Sequence, residues 1–174
     1  GLRREQPDLI YCAISAYGQS GPFADRLGFD PVVQAESGFM SLNGGADDAG
    51  MRTQPVIMDI STGMMATNAI LAALLSRGVS GKGQRVDISL YETAVTMLGW
   101  SPMQYLLSGT EPKRAGNGSA DSAPGGVFHA QDVPFFLSSP STPIFQRIAR
   151  AVGLDAMADD PELIDTSKRI ARCQ

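Results

Sequence analysis

Apolar and polar residues along this chain fall into segments of different period, and each period predicts an element. After a turn at Pro7-Asp8, Leu9-Ile10-Tyr11-Cys12-Ala13-Ile14 is an unbroken apolar run. Without polar alternation it predicts a strand covered on both faces, as in a parallel sheet. Its carboxyl end opens into Ser15-Ala16-Tyr17-Gly18-Gln19-Ser20-Gly21-Pro22. Open α/β sheets bind ligands at that edge, although an ordinary strand-to-helix turn has the same composition. Pro55-Val56-Ile57-Met58 predicts a second short strand, leading directly to Asp59. Beyond a junction at Ile60–Gly63, a helix is expected to run to about Ser76, with Arg77 and Gly78 as terminal charge and cap. Its apolar residues go almost all round, so it is expected to lie buried between layers. Gln84 to Leu90 alternates, with Val86, Ile88 and Leu90 on one face and Arg85, Asp87 and Ser89 on the other.

The remaining segments complete the order. Asp30-Pro31 predicts a helix start, Asp30 as N-cap and Pro31 in the first turn, ended by Asn43-Gly44-Gly45. Tyr91 opens a further helix through Leu106, interrupted at Ser101-Pro102, in which Trp100 reads as packing. Residues 109–126 are polar and rich in Gly and Pro, a long loop. Residues 127–130 and 135–138 read as a hairpin, Thr142 to Gly153 as a helix, and Asp159-Asp160-Pro161 as a turn. Strands alternating with helices imply an α/β fold, a parallel sheet with helices on both faces. The expected organisation is a partial large α/β domain over 1–108, a linker over 109–126 and the start of a small α+β domain over 127–174.

Composition narrows the function classes. Among 174 residues, 43% are hydrophobic and 18% charged, as in globular proteins. The net charge of −4 comes without a basic block, which argues against a nucleic-acid partner. Cys12 and Cys173 lack metal-ligand or CxxC spacing, so neither a disulfide framework nor a zinc site is expected, and a reducing cytoplasm fits best. The apolar run from Gly63 to Leu75 is short of the roughly 20 residues that span a bilayer, so no membrane segment is expected. The chain begins at Gly1 rather than Met, in what reads as a helix-to-strand connection, as a fragment of a longer protein would.

The catalytic inventory is short. GxSxG, HExxH and GxGxxG are absent, and Gly81-Lys82-Gly83 lacks the spacing of a phosphate loop. His129, the single histidine, has no Cys or acid partner in sequence. Asp59 differs from the other acids because both its flanks are apolar. It could cap the helix that follows, or it could be held there to react. The residue pattern alone favours the cap.

Four segments then carry a family resemblance: Leu9 to Pro22, Gly28 to Gly38, Met58-Asp59-Ile60-Ser61-Thr62-Gly63 with Ile70 to Leu75, and Gly81 to Leu90. In this order and spacing the chain resembles the class III CoA-transferases, the formyl-CoA and carnitine CoA-transferase family, and covers the middle of a member. The resemblance implies a Rossmann-like large domain that is incomplete here. It also implies CoA transfer between an acyl-CoA donor and a carboxylic acid acceptor, with Asp59 attacking the thioester to form an acyl anhydride. Backbone N–H groups around Ile60–Gly63 would be candidates for stabilising the developing charge.

Other site residues are carried over by position. A basic residue that contacts CoA in formyl-CoA transferase falls on Ser15, and a methionine near the CoA tail falls on Leu90. The flexible glycine loop corresponds to part of Ala115–Gly126, where Gly116 and Gly118 remain but no four-glycine run exists. The implied partners are the acyl-CoA and carboxylate substrates and, in the full-length protein, an interlocked homodimer, with no tightly bound cofactor and no metal. An α-methylacyl-CoA racemase is the alternative within the superfamily; its histidine position holds Phe29 here, leaving proton abstraction without a second acid/base group. A truncated, non-catalytic fragment is the alternative from another class. Such a fragment is expected to be poorly stable, because it would leave sheet edges and apolar faces open.

Overall fold

A computed structural model of the chain describes residues 2–118 and 122–173. They form two compact units, one comprising Gly1–Gly44 with Asp48–Arg114, the other Gly45–Asp47 with Ala115–Gln174.

The first unit begins with a short helix α1 (Leu2–Glu5) and strand β1 (Tyr11–Ser15). Helix α2 (Asp30–Glu36), a 3-10 turn (Phe39–Leu42) and the long helix α3 (Ile57–Ser80) follow. Strand β2 (Arg85–Ser89) and helices α4 (Leu90–Met97) and α5 (Ser101–Ser108) complete it. Strands β1 and β2 pair in parallel, from Tyr11 opposite Arg85 to Ser15 opposite Ser89. The expected alternation along β2 is present: Arg85 and Asp87 point to the same exposed side and form an ion pair at 2.8 Å, while Val86 and Ile88 are half-buried. At its end Ser89 accepts the Glu92 N–H and donates its hydroxyl to the Glu92 carboxylate, a side-chain cap for α4.

Helix α3 carries the chain back from the carboxyl end of β1 to the amino end of β2. It packs on both strands and on α2 and α4. Two glycines make the return possible. Gly81 closes α3 in the left-handed conformation, φ 68°, its N–H donating to the Arg77 carbonyl at 2.8 Å. At Gly83 the chain runs so close to the lead-in of β1 that a Cβ would sit 2.1 Å from the Leu9 carbonyl oxygen. Arg77 donates to the Asp8 carbonyl at 3.1 Å, fixing the same end. At the other end Val33, Met58, Leu90 and Ala94 form the buried core, with Phe39, Ile57 and Tyr91 packed against it.

The structure departs from the sequence expectations in several places. Residues 55–58 form no strand, because Ile57 already begins α3 and the Met58 N–H is taken by a side chain of α2 rather than by a sheet partner. Asp30 does not cap its own helix; Phe29 is the N-cap residue of α2 and Asp30 lies inside the first turn. Helix α3 continues past Ser76 and ends at Gly81, not Gly78. With 24 residues it is long and apolar enough, by length and composition, to cross a membrane, although the apolar run alone looked too short. Nor is it buried all round: Met58, Thr62, Ala66 and Ala73 face inward, while Ile60, Met64, Leu71, Leu75 (76% exposed) and Val79 (93% exposed) form an apolar stripe on the opposite side. Likewise Tyr11 and Ile14 on β1 are about half exposed, because a sheet of two strands and the helices present here does not cover both faces.

In the second unit, β3 (Gly125–His129) and β4 (Pro134–Ser138) form the expected antiparallel hairpin, Phe128 opposite Phe135. Helices α6 (Thr142–Ala151), α7 (Asp155–Ala158), α8 (Pro161–Ile164) and α9 (Thr166–Cys173) follow. Arg169 is 2% exposed and donates to the carbonyls of Ala123, Leu163 and Ile164, with its guanidinium 4.5 Å from the Phe145 ring centre.

Gly83→Ala in the full-length protein is expected to lose about 3 kcal/mol or more, since the clash is with backbone. Gly81→Ala is expected to lose only about 1 kcal/mol, the cost of a left-handed non-glycine residue. Urea unfolding midpoints at constant m-value measure both. Equal losses at the two sites would contradict the close-approach assignment at Gly83.

Candidate active site

The first turn of α3 is where sequence and structure differ most usefully. Four N–H groups at a helix start have no partner within the helix. Here Ile57 N–H donates to the Pro55 carbonyl at 2.8 Å, and the regular helical bonds begin with Ile60 N–H on the Val56 carbonyl at 3.1 Å. The two between them, Met58 and Asp59, both donate to one carboxylate oxygen of Asp30, at 2.6 and 3.2 Å. The other Asp30 oxygen accepts from the Gln34 side-chain amide at 2.5 Å, and the Gln34 carbonyl oxygen accepts the Thr53 N–H at 2.9 Å. Asp30 is 1% exposed and Gln34 is fully buried. So the helix that carries Asp59 is capped, but by a residue of another helix. Asp59 itself is not the cap.

Asp59 is instead an exposed residue in the first turn of the helix, where the macrodipole favours a negative charge. Among the described residues its carboxylate accepts no hydrogen bond and forms no ion pair. Its neighbour Met58 packs in the core with Leu90, so Asp59 lies at the carboxyl-terminal end of the parallel pair, the binding edge of open α/β sheets. One turn further, Gly63 lies on the same side of α3, and a Cβ placed there would meet nothing within 4 Å. Packing inside this chain therefore does not require glycine, which costs up to about 1 kcal/mol in a helix interior. Its effect is to leave bare helix surface beside the carboxylate. The expected charge-stabilising turn at Ile60–Gly63 does not exist. These residues are helical, and the Ile60 N–H is already bonded to Val56.

Ser15 and Leu90 belong to the same unit as Asp59. Ser15 ends β1 opposite Ser89, half-buried, and its hydroxyl accepts the Gly18 N–H at 3.1 Å. Leu90 opens α4 and lies in the core, 9% exposed. Gly116 and Gly118 belong to the other unit, where Gly116 has φ 57° and the Gly118 N–H closes a turn on the Ala115 carbonyl at 2.7 Å. Residues 119–121 of that glycine loop lie outside the described residues. His129 ends β3, exposed. The second unit also holds a cleft of about 560 Å³ walled by Phe128, Phe135, Phe145, Ile148 and Met157, whose only titratable lining residues are Arg169 and Arg172. Among the described residues, no carboxylate or nucleophile lines it.

The loop after β1 is ordered by Tyr17. Its hydroxyl donates to Glu36 at 2.7 Å, and Arg26 donates to the other oxygen of Glu36 at 2.5 Å while its guanidinium lies 5.0 Å from the Tyr17 ring centre. Gly28 allows this packing, since a Cβ there would come within 2.8 Å of the Tyr17 ring. The Tyr17 hydroxyl thus holds the segment that delivers Phe29 and Asp30. Its bond to Glu36 raises the Tyr17 pKa above 10.0, and the bonds from Tyr17 and Arg26 lower that of Glu36.

A family model described as CoA-transferase family III matches residues 1–174. The chain belongs to that family. It is 38% identical over 170 residues to a succinate–glutarate CoA-transferase of Agrobacterium fabrum, covering 98% of this chain and 42% of the relative. Against the succinyl-CoA:glutarate CoA-transferase of Homo sapiens it is 33% identical, covering 93% of this chain and 36% of that one. Its fold is similar to that of a CAIB/BAIF family protein from Brucella suis, with a TM-score of 0.82 at 33% identity, over 99% of this chain and 46% of the other. This family III chain therefore spans less than half the length of these relatives.

Sequence reasoning singled out Asp59 and missed Asp30 and Gln34 as its support. The i, i+4 spacing of Asp30 and Gln34 hints at a side-chain pair on one helix face. Nothing local points to the helix start 28 residues away.

The Tyr17–Glu36–Arg26 group has a pH signature. Glu36 has a lowered pKa, so its stabilisation is fully present above the usual carboxylate range and is lost as pH falls through the lower folded value. Tyr17 has a raised pKa, so its contribution is present below about pH 10 and is lost as pH rises through the folded value. Glu36→Gln is expected to flatten the loss of thermal stability between about pH 5 and pH 3, followed by circular dichroism. An unchanged acid limb would remove Glu36 from that account.

Proposed function

We propose that the full-length protein moves CoA from an acyl-CoA donor to a carboxylic acid acceptor, with Asp59 as the nucleophile. The observation that carries this reading is an exposed, unpaired carboxylate held on a capped helix start at the sheet's carboxyl-terminal edge, in a CoA-transferase family III chain.

The chemistry follows from that carboxylate. An Asp59 oxygen attacks the thioester carbonyl, the C–S bond breaks, and CoA leaves as its thiolate. The product is a mixed anhydride between Asp59 and the donor acyl group. The thiolate then attacks the aspartyl carbonyl, releasing the donor acid and leaving Asp59 as a CoA thioester. The acceptor carboxylate displaces the thiolate to form a second anhydride. A final thiolate attack on the acceptor's carbonyl yields the new acyl-CoA and regenerates Asp59. Each step exchanges one activated acyl bond for another, so bond energy is conserved without a metal or a tightly bound cofactor.

Gly63 supports the reading by leaving space beside Asp59. With the Ile60 N–H occupied, donors that stabilise the tetrahedral oxyanion come from outside the α3 turn. The same proposal makes the protein a cytoplasmic homodimer, and the exposed stripe on α3 and the half-exposed β1 are surfaces that further chain would cover. Several relatives are named for short dicarboxylic acids, which makes succinyl-CoA with glutarate and acetyl-CoA with oxalate the first pairs to assay.

The test is trapping. Full-length protein incubated with donor and hydroxylamine is expected to yield a hydroxamate at Asp59, located by peptide mass spectrometry. Asp59→Asn is expected to lose the adduct and at least about 1,000-fold in exchange rate, as when a covalent nucleophile is removed. An Asn variant with wild-type exchange would overturn the assignment. Solvent deuterium entering the acyl α-position without exchange would point to a racemase instead.

A further inference from the structure

We propose that Asp30 is the positioning residue for Asp59, acting through the backbone of α3 and held in turn by Gln34 and Thr53. The inference rests on the nucleophile reading above and adds a residue to it.

The geometry is a directional relay. Thr53 N–H donates to the Gln34 carbonyl oxygen, the Gln34 amide donates to Asp30, and Asp30 accepts from Met58 and Asp59. Three N–H donors converge on Asp30, one on Oδ1 and two on Oδ2. A carboxylate offers two acceptor oxygens, whereas an amide offers one oxygen and a donor group. Only the carboxylate satisfies all three. Asp30 is 1% exposed, so it acts behind the helix rather than on a substrate. Its charge lies in the first turn of α2 and against the start of α3, where two helix dipoles favour it.

The relay replaces a local cap. The N-cap position of α3 holds Val56, which has no side-chain acceptor. A Ser or Thr there would satisfy the same N–H groups but would put a hydroxyl beside Asp59. A hydroxyl bonded to the Asp59 carboxylate would stabilise its charge and weaken it as a nucleophile. Capping from α2 fixes the peptide unit that precedes the Asp59 Cα and leaves the carboxylate bare. Thr53 adds a second anchor, four residues before α3 begins, so the entering chain and the first turn are both referenced to α2.

Two variants of the full-length protein test this. In Asp30→Asn, the amide must present its NH₂ either to α3 or to Gln34, so one link of the relay opposes donor to donor. Displacing the reacting group by about 1 Å costs about 100-fold in rate. Asp30→Asn is therefore expected to lower kcat, and the rate of hydroxamate formation from succinyl-CoA or the best donor of a short acyl-CoA panel, by about 100-fold. KM for that donor should stay within about threefold, because the substrate contacts are untouched. In Asp30→Asn/Gln34→Glu every donor again meets an acceptor, and kcat is expected to return to within about fivefold of the parent, with the parent melting temperature.

A folded Asp30→Asn with parent kcat but lower melting temperature would reduce Asp30 to a structural role and overturn the proposal. So would a double variant that melts like the parent yet stays slow, or one that does not fold. If Asp30→Asn itself fails to fold, the double variant decides alone. An Asp59→Asn enzyme that still forms the adduct would overturn the nucleophile reading and this proposal together. An inert Asp59→Asn beside an unimpaired Asp30→Asn would overturn this proposal only.

Discussion

A single buried carboxylate organises the first unit. Asp30 lies in the first turn of α2, yet its hydrogen bonds go to the start of α3, where it takes both N–H groups that the helix and its approach cannot satisfy. Bonds to a charged group contribute roughly 1.5–3 kcal/mol each, and an orphaned buried donor costs a comparable amount. Apolar packing would bring α2, α3 and α4 together in any case, through Val33, Met58, Leu90 and Ala94. It would not fix where α3 begins. That is decided by the polar contact, and with it the position of Asp59. Upstream, the Tyr17–Gly28 packing sets where the chain enters α2 and so where Asp30 stands.

Helix α3 shows how the same residues read differently by pattern and in place. Its apolar residues encircle it, which predicts cover on all sides. In this chain one side is covered, by β1, β2, α2 and α4, and the stripe from Ile60 to Val79 is open. β1 has the same property, an unbroken apolar run with Tyr11 and Ile14 half exposed. Both patterns describe an environment larger than these residues supply, in a chain that spans 42% of one family III relative and 36% of another. The uniform hydrophobicity of α3 and β1 was thus a poor guide to their burial in this chain.

Elements set by short-range spacing were legible from residues alone. The period-2 pattern of β2, the 127–138 hairpin and the start of α6 at Thr142-Pro143 depend on residues within one or two turns of each other. Asp59 was legible as well, because a carboxylate with apolar flanks is unusual wherever it falls. The strand assigned to 55–58 failed for a physical reason. Pro55-Val56-Ile57-Met58 suits a strand locally, but β1 and β2 pair with each other and Asp30 takes the Met58 N–H, so the segment turns into helix.

The amino-acid sequence by itself determined the locally encoded elements, the family to which the chain belongs and the identity of the singular carboxylate. Tertiary structure decided what that carboxylate is. It is not the cap of its helix but an unpaired group on a helix capped from elsewhere. The reason is distance along the chain. Asp30 and Met58 are 28 residues apart, so no local propensity couples them, and only the packing of α2 against α3 brings donor to acceptor.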